Sequence, residues 1–408
     1  MKNKKKFYFV NRYFYPDHSA TSQILSDLAF YLSSKGFNIE IITSRQTYDD
    51  SQAALSKTEV INGVKVNRLS TTLFGRMGLY GRSIDYLSFY ISAFFYMLFN
   101  VRSNDVVVAK TDPPMLSIVV YILSKLKGYS YINWLQDLFP EIAKHLGVKG
   151  LALVYGPLRY IRNMSLKSAY SNVVIGEIMS DLLISEGVDK DRIRLIHNWS
   201  IEDNIYPITP NDNLLRKELK LDNKFIVGYS GNIGRAHEFD SIIDAAEKLR
   251  DKEDIVFIII GGGAKYSDFR RASINRNLTN IMFLPYVPKD QLPMSLTLPD
   301  LHLISLLPEL EGLIVPSKLY GILASGRPVL NIGSVEGEVS KTILDNACGI
   351  AAEIGDIDYI ADSILKLKND KKQLQVMCES SRNLYQTKYA KKFSHIQWHE
   401  LLESTYPC

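Results

Sequence analysis

Short apolar runs alternate with longer stretches in which apolar positions recur every three or four residues, and this alternation continues from Phe7 to Asn369. The runs have strand length and the longer stretches have helix period, which predicts βαβ units built around parallel sheets. Predicted strands in the first half are Phe7–Val10, Ile39–Thr43, Val64–Arg68, Val106–Ala109, Tyr131–Leu135, Ser171–Ile175 and Ile193–Ile196, with helices over Thr21–Lys35, Leu116–Lys127 and Leu151–Ala169. The second half repeats the pattern. Its strands are Phe225–Tyr229, Val256–Ile260, Ile281–Leu284, Leu301–Leu306 and Val329–Asn331, with helices near Phe239–Leu249, Ser317–Ala324 and Ile360–Asn369. Gln373–Glu403 reads as helical throughout.

Between the halves, Pro207, Pro210 and Asn211-Asp212-Asn213 interrupt the pattern, a composition that favours a linker with one short helix. A chain of 408 residues also exceeds what one hydrophobic core usually serves. The expectation is an α/β protein of two Rossmann-like, doubly wound domains facing a cleft: residues 1–199, a linker at 200–224, residues 225–385, and a C-terminal helix at 386–408 returning to the first domain. No repeat with a period of 20 to 50 residues argues for a solenoid or propeller.

With 46% hydrophobic and 23% charged residues, the sequence excludes a disordered chain. The net charge of +4 makes no case for nucleic acid and suits anionic substrates or an anionic membrane surface. Cys348, Cys378 and Cys408 are scattered and include no Cys-x-x-Cys pair, which fits a reducing cytosol. Asn11 and Arg12 cut short the apolar run after Lys2–Lys6, so this segment reads as a lead into the first strand rather than a secretory signal.

Candidate chemistry concentrates where predicted strands end, since ligands of doubly wound sheets gather there. Phe225–Tyr229 runs into Ser230-Gly231-Asn232-Ile233-Gly234-Arg235, a glycine turn followed by a cation, suited to a diphosphate. An ordinary strand-to-helix turn with a surface arginine fits the same residues. Val256–Ile260 ends in Gly261-Gly262-Gly263, and Leu284-Pro285-Tyr286 brings an aromatic suited to a nucleobase to the same rim. Ser317 is a candidate N-cap, and the helix behind it would aim its positive end and Lys318 at the strand ends. The acidic residues before it, Glu309 and Glu311, would accept hydrogen bonds from sugar or ribose hydroxyls. In the first half, Asp17, His18, Ser19 and Thr21 follow strand one, and Gln136 and Asp137 follow the strand Tyr131–Leu135. Capping the next helix is the other role open to Asp137.

In order and spacing these segments resemble glycosyltransferase family 4, in particular its bacterial O-antigen and capsule amino-sugar transferase branch: Tyr13–Asp17, Gln136–Glu141, Gly231–Arg235 with His237-Glu238, Gly261–Gly263, and Pro316–Pro328 with Ala324-Ser325-Gly326. The resemblance implies the GT-B fold, an acceptor-binding first domain and a nucleotide-sugar-binding second domain. It also implies retaining transfer from a nucleotide sugar, UDP-sugar above all, without metal or other cofactor. Carried over residue by residue, Arg235 and Lys318 hold the diphosphate and Glu311 touches the donor, with Asp137 as a further catalytic group. Gly231, Asn232, Gly234, Gly262, Tyr286 and Ser317 complete the donor site, and Asp17, His18, Ser19, Thr21 and Gln136 face the acceptor.

The sequence departs from the family at identifiable places. Leu313 and Gly321 occupy the positions of its paired glutamates, Asp240 replaces a common lysine, and Gln136 replaces a common histidine.

The acceptor the resemblance implies is a polyprenyl diphosphate-linked glycan, which makes the aromatic run Tyr86–Val101 notable. It lies among Arg76, Arg82 and Arg102 and falls short of the ~20 residues that span a bilayer. Core packing is one reading; a helix at the inner face of the cell membrane is the other. A nucleotide-sugar 2-epimerase and a non-catalytic nucleotide-sugar-binding subunit remain open alternatives to the transferase.

Overall fold

The computed structural model describes residues 5–47, 55–75, 78–148, 150–201 and 204–406, and the chain divides into two compact units. Residues up to His197, together with those from Ser394 onward, form the first. Its strands are β1 (Lys6–Val10), β2 (Asn38–Ser44), β3 (Thr58–Ile61), β4 (Val64–Leu69), β5 (Val106–Lys110), β6 (Ser130–Trp134), β7 (Ser171–Val174) and β8 (Ile193–Leu195). They form one sheet in the order β3-β4-β2-β1-β5-β6-β7-β8. The central strands β1 and β5 are buried on both faces, which is why they read as continuous apolar runs.

Every pairing in this sheet is parallel except β3 with β4. That edge hairpin was not predicted. Its turn is Asn62-Gly63, both at positive φ (48° and 79°), and Asn-Gly between short apolar runs is a strong local hairpin signal.

The second unit, residues 198–393, holds β9 (Phe225–Asn232), β10 (Ile255–Gly262), β11 (Ile281–Leu284), β12 (Leu301–Ser305), β13 (Val329–Ile332) and β14 (Gly349–Ala352). All run parallel, in the order β11-β10-β9-β12-β13-β14. Val227, Tyr229, Phe257 and Ile259 face a core that helices Asp240–Lys248 and Ile357–Asn369 close.

Two boundaries differ from expectation. Residues 200–224 are not a free linker: most pack into the second unit, where Arg216 pairs with both oxygens of Asp300 (3.1 and 3.0 Å). Both side chains are buried, and Asp300 also accepts from the N–H of Ile226 at 2.8 Å, so the pair locks helix Leu214–Glu218 to the first strand of this sheet. Removing one member of such a pair costs about 3–5 kcal/mol.

The expected continuous C-terminal helix is also interrupted. Helix Lys371–Leu384 runs into a π-turn, Tyr385–Tyr389, and Ala390 turns extended before helix Lys391–Glu403 begins. From Ser394 onward that last helix belongs to the first unit. Trp398 meets Trp134 of β6 at 4.6 Å between ring centroids, and His395 meets Asp27 at 2.9 Å.

Candidate functional site

In the second unit, β9 and β10 end side by side. Their register pairs Gly261 with Gly231 and Gly262 with Asn232, so two glycine turns distant in sequence form one rim. Gly231 (φ 127°) and Gly261 (φ 135°) hold backbone conformations open chiefly to glycine. A Cβ on Gly261 would stand 2.2 Å from the carbonyl oxygen of Gly231, so no other residue fits. The Asn232 amide fills the space beside Gly234 and Gly263. Tyr286 lies across the rim, its hydroxyl donating to the Gly262 carbonyl at 3.2 Å and its ring 60% exposed.

Lys318 is the cation of this rim. A Cβ on Gly231 would lie 3.5 Å from its Cε, and its Nζ donates to the Tyr229 hydroxyl at 2.7 Å while sitting 4.4 Å from that ring's centroid. His237 Nε2 is 3.5 Å away. Burial lowers the Lys318 pKa to about 7. Burial, then the adjacent Lys318, push His237 down to about 3, so its imidazole is neutral. Arg235 is exposed on the same turn and forms no ion pair or hydrogen bond among the described residues.

Ser317 and Glu311 behave differently from expectation. Ser317 stands at the N-cap position of helix Lys318–Ala324, but its backbone is helical rather than extended and its side chain makes no capping bond. The Glu311 carboxylate turns to the start of helix Glu338–Asp345, accepting from the Glu338 N–H at 3.2 Å. It packs so closely that a Cβ on Gly337 would overlap it at 2.2 Å. Burial, with the like charge of Glu338, raises its pKa to about 7. The other described acidic residue of this loop, Glu309, lies in the single turn Pro308–Leu310.

At the carboxyl ends of β1, β5 and β6 the first unit gathers a charged cluster. Parallel pairing of β5 between β1 and β6 brings Arg12, Lys110, Asp112 and Asp137 to one edge. Lys110 is 2% exposed, its Nζ sits 3.7 Å from the centroid of the Trp134 ring, and it has no hydrogen-bond acceptor among the described residues. Burial lowers its pKa to about 7 against the pull of Asp112 and Asp137. Burial likewise raises Asp137 to about 6, with Lys110 opposing the rise. Asp112 also rises to about 6, from burial above all and with Asp137 and Asp17 adding to it, while Arg12 and Lys110 oppose the rise. Arg12 pairs with Asp85 of helix Gly78–Asn100 at 3.5 Å.

Residues 211–384 match the family model described as glycosyl transferases group 1. That match spans most of the C-terminal unit. Over 249 residues the chain is 26% identical to "Probable glycosyltransferase WbjE" of Pseudomonas aeruginosa, a match covering 61% of this chain and 62% of that protein, under two thirds of its length. Over 323 residues it is 26% identical to "Putative colanic acid biosynthesis glycosyl transferase WcaI" of Escherichia coli K12, covering 76% and 79%.

Among solved structures, sucrose-phosphate synthase from Thermosynechococcus elongatus aligns with a TM-score of 0.76 at 14% identity, over 98% of this chain and 99% of that one. Anabaena Alr3699/HepE in complex with UDP aligns at 0.73 and 15% identity, over 98% and 100%. These likenesses establish the GT-B fold for the chain.

Within the matched residues, Gly231, Asn232, Gly234, Gly262, Tyr286 and Lys318 come to one rim, whereas Glu311 is engaged elsewhere. Sequence reasoning missed Tyr229 as a site residue, and it quoted His237, two residues after Arg235, only as part of the resemblance and gave it no role. Glu238, quoted with it and likewise given no role, accepts from the Ser241 N–H at 2.8 Å at the start of helix Asp240–Lys248.

On the acceptor side, Asp137 caps nothing: helix Glu141–His145 has no side-chain cap. Gln136 is buried beside it. Asp17 is buried and bonds within its own loop, to the Ser19 N–H at 2.8 Å and to the Ser19 hydroxyl, so neither side chain projects as expected. His18 is exposed and Thr21 half-buried. Lys110 and Asp112 went unread because a lysine closing an apolar strand looks like its solvent-facing end. Among the described residues no three His, Cys, Asp or Glu side chains gather as a metal site would require.

Proposed function

We propose that this protein is a retaining glycosyltransferase that moves a sugar, an N-acetylated amino sugar, from a UDP-sugar to a polyprenyl diphosphate-linked saccharide. The product belongs to bacterial surface polysaccharide, capsule or O-antigen. The relatives WbjE and WcaI are named as glycosyl transferases, the latter of colanic acid biosynthesis, and HepE was solved with UDP. The observation that carries the reading is Lys318, a partly buried cation beside two glycine turns with, among the described residues, only a phenol and an imidazole for polar partners.

In this reading Tyr286 faces the nucleobase, and the peptide N–H groups of the glycine turns meet the diphosphate. Lys318 and the exposed Arg235 stabilise charge as it develops on the leaving diphosphate, electrostatic work that here involves no metal or other cofactor. Asp137 contacts the acceptor or the transferring sugar. The chain works in the cytoplasm, at the inner face of the membrane.

Helix Gly78–Asn100 supports that location. Phe89, Ala93 and Met97 pack into the core, while Tyr80, Ile84, Leu87, Ile91, Phe95 and Phe99 form an exposed stripe along its other face. Helix Leu116–Lys127, which packs on it, exposes Ile122 and Leu126, and Arg82, Arg102 and Lys125 are also exposed for anionic lipid. Arg76 lies outside the described residues. No helix among the described residues is long and apolar enough to cross a membrane.

The test is incubation with labelled UDP-N-acetylglucosamine and other nucleotide sugars in the presence of a polyprenyl diphosphate-linked saccharide. Label appearing on the lipid supports the reading. Conversion of the free donor, or binding without turnover, overturns it in favour of an epimerase or a binding subunit.

A further inference from the structure

The protons around Lys318 are already assigned. The Tyr229 hydroxyl donates to the Asn232 carbonyl at 2.9 Å, and the His237 Nδ1–H donates to the Ser305 carbonyl at 2.5 Å. Each group therefore turns a lone pair toward Lys318 Nζ, at 2.7 and 3.5 Å. A neutral amine has two N–H groups and satisfies both acceptors; an ammonium does the same and carries one N–H more. The local network thus tolerates either state. The extra proton points to the one tetrahedral position with no protein acceptor, and a negative charge at that position decides whether it stays.

The described residues supply no such charge. No carboxylate lies within ion-pair distance of Lys318 among the described residues. Arg235 and Glu238 share the turn with His237, but Glu238 is engaged with the Ser241 N–H. Burial alone accounts for the Lys318 pKa of about 7, and Lys318 in turn depresses His237, which stays neutral.

We propose that binding of a nucleotide diphosphate at this rim is coupled to uptake of one proton by Lys318. The proton comes from solvent and joins the Nζ lone pair; no covalent bond breaks, and the ammonium formed donates its third N–H to a phosphate oxygen. The inference rests on the donor-site reading and deepens it. The sign follows from linkage: a ligand that binds with proton uptake loses affinity as pH rises. Below pH 6 Lys318 is already charged in the free protein, and uptake vanishes. At pH 8 it is mostly neutral, uptake approaches about 0.9 proton, and affinity falls close to tenfold per further pH unit.

Titration calorimetry of the full chain with UDP-glucose, and in parallel GDP-, ADP- and dTDP-glucose, tests this in buffers of different ionisation enthalpy at pH 6 and pH 8. The phosphates of these sugars keep their charge over this range, so any proton taken up goes to the protein. The expected result is a binding enthalpy that depends on the buffer at pH 8 and scarcely at pH 6. Lys318→Arg should still bind but take up no proton, because a guanidinium stays charged. A buffer-independent enthalpy at pH 8 in the unmodified protein overturns the proposal, as does uptake that survives in Lys318→Arg. Absence of binding by all four sugars overturns the donor-site reading itself, and this inference with it.

Discussion

Lys318 and Lys110 are two lysines at the carboxyl edge of a parallel sheet, one in each unit, and burial brings both to a pKa of about 7. Their surroundings differ. Lys318 meets a phenol and a neutral imidazole, and glycine turns leave the backbone open beside it. Lys110 lies against the face of Trp134 with Asp112 and Asp137 acting on it, so its counter-charge comes from its own unit. An equal shift therefore means different things. A cation without a counter-charge is built to receive an anion, whereas a cation among carboxylates is built to keep them ionised.

The sharpest way to break this contrast is to remove each lysine in turn. Lys318→Ala should lower kcat/KM by roughly 10²–10³-fold, the range for removing one stabilising donor at a developing charge, with the melting temperature nearly unchanged. If Lys110→Met weakens donor affinity as much as Lys318→Ala does, the two sites are not distinct in the way described.

A smaller effect concerns pH. The ionised form of Asp137 is taken as the active one, so transfer should fall tenfold per pH unit below about 6. Lys110 favours that ionised form. Lys110→Met should therefore raise the carboxyl pKa and move the acid limb of the kcat/KM profile upward by about one pH unit. An acid limb that stays in place in a folded variant would show that Lys110 is only a packing residue.

The smallest effect lies away from both sites. Phe95→Glu with Phe99→Glu should reduce cosedimentation with anionic vesicles severalfold at low salt, while transfer to a short water-soluble acceptor is unchanged. Equal sedimentation of variant and parent would remove the exposed stripe from the membrane reading.

Much of the fold was legible because its signals are local. Apolar runs of strand length marked the central strands of both sheets, and Gly261-Gly262-Gly263 announced a strand end where backbone must come close. Helix Leu116–Lys127 was read at both ends, its stop set by Gly128 in the left-handed conformation. Where reading failed, the local signal was weak or overridden. Residues 200–224 carry linker-like prolines, yet the buried Arg216–Asp300 pair draws this segment into the second unit, and Asp300 is far along the chain. The hairpin at Asn62-Gly63 is the reverse case, a local signal present and unread.

By itself the sequence determined the alternation of strands and helices, the glycine turns and the residue types able to meet a diphosphate, because each depends on neighbours within a few positions. Only the tertiary structure decided which of those residues share an environment. Glu311 was drawn to the start of helix Glu338–Asp345, and Asp17 was folded into its own loop. His237 came to Lys318 because β9 and β12 are neighbours in one sheet, their turns and helices joined over a long stretch of chain. Charge acts through space and is set by burial and counter-charge, and strand order in a parallel sheet brings together groups that chain distance keeps apart.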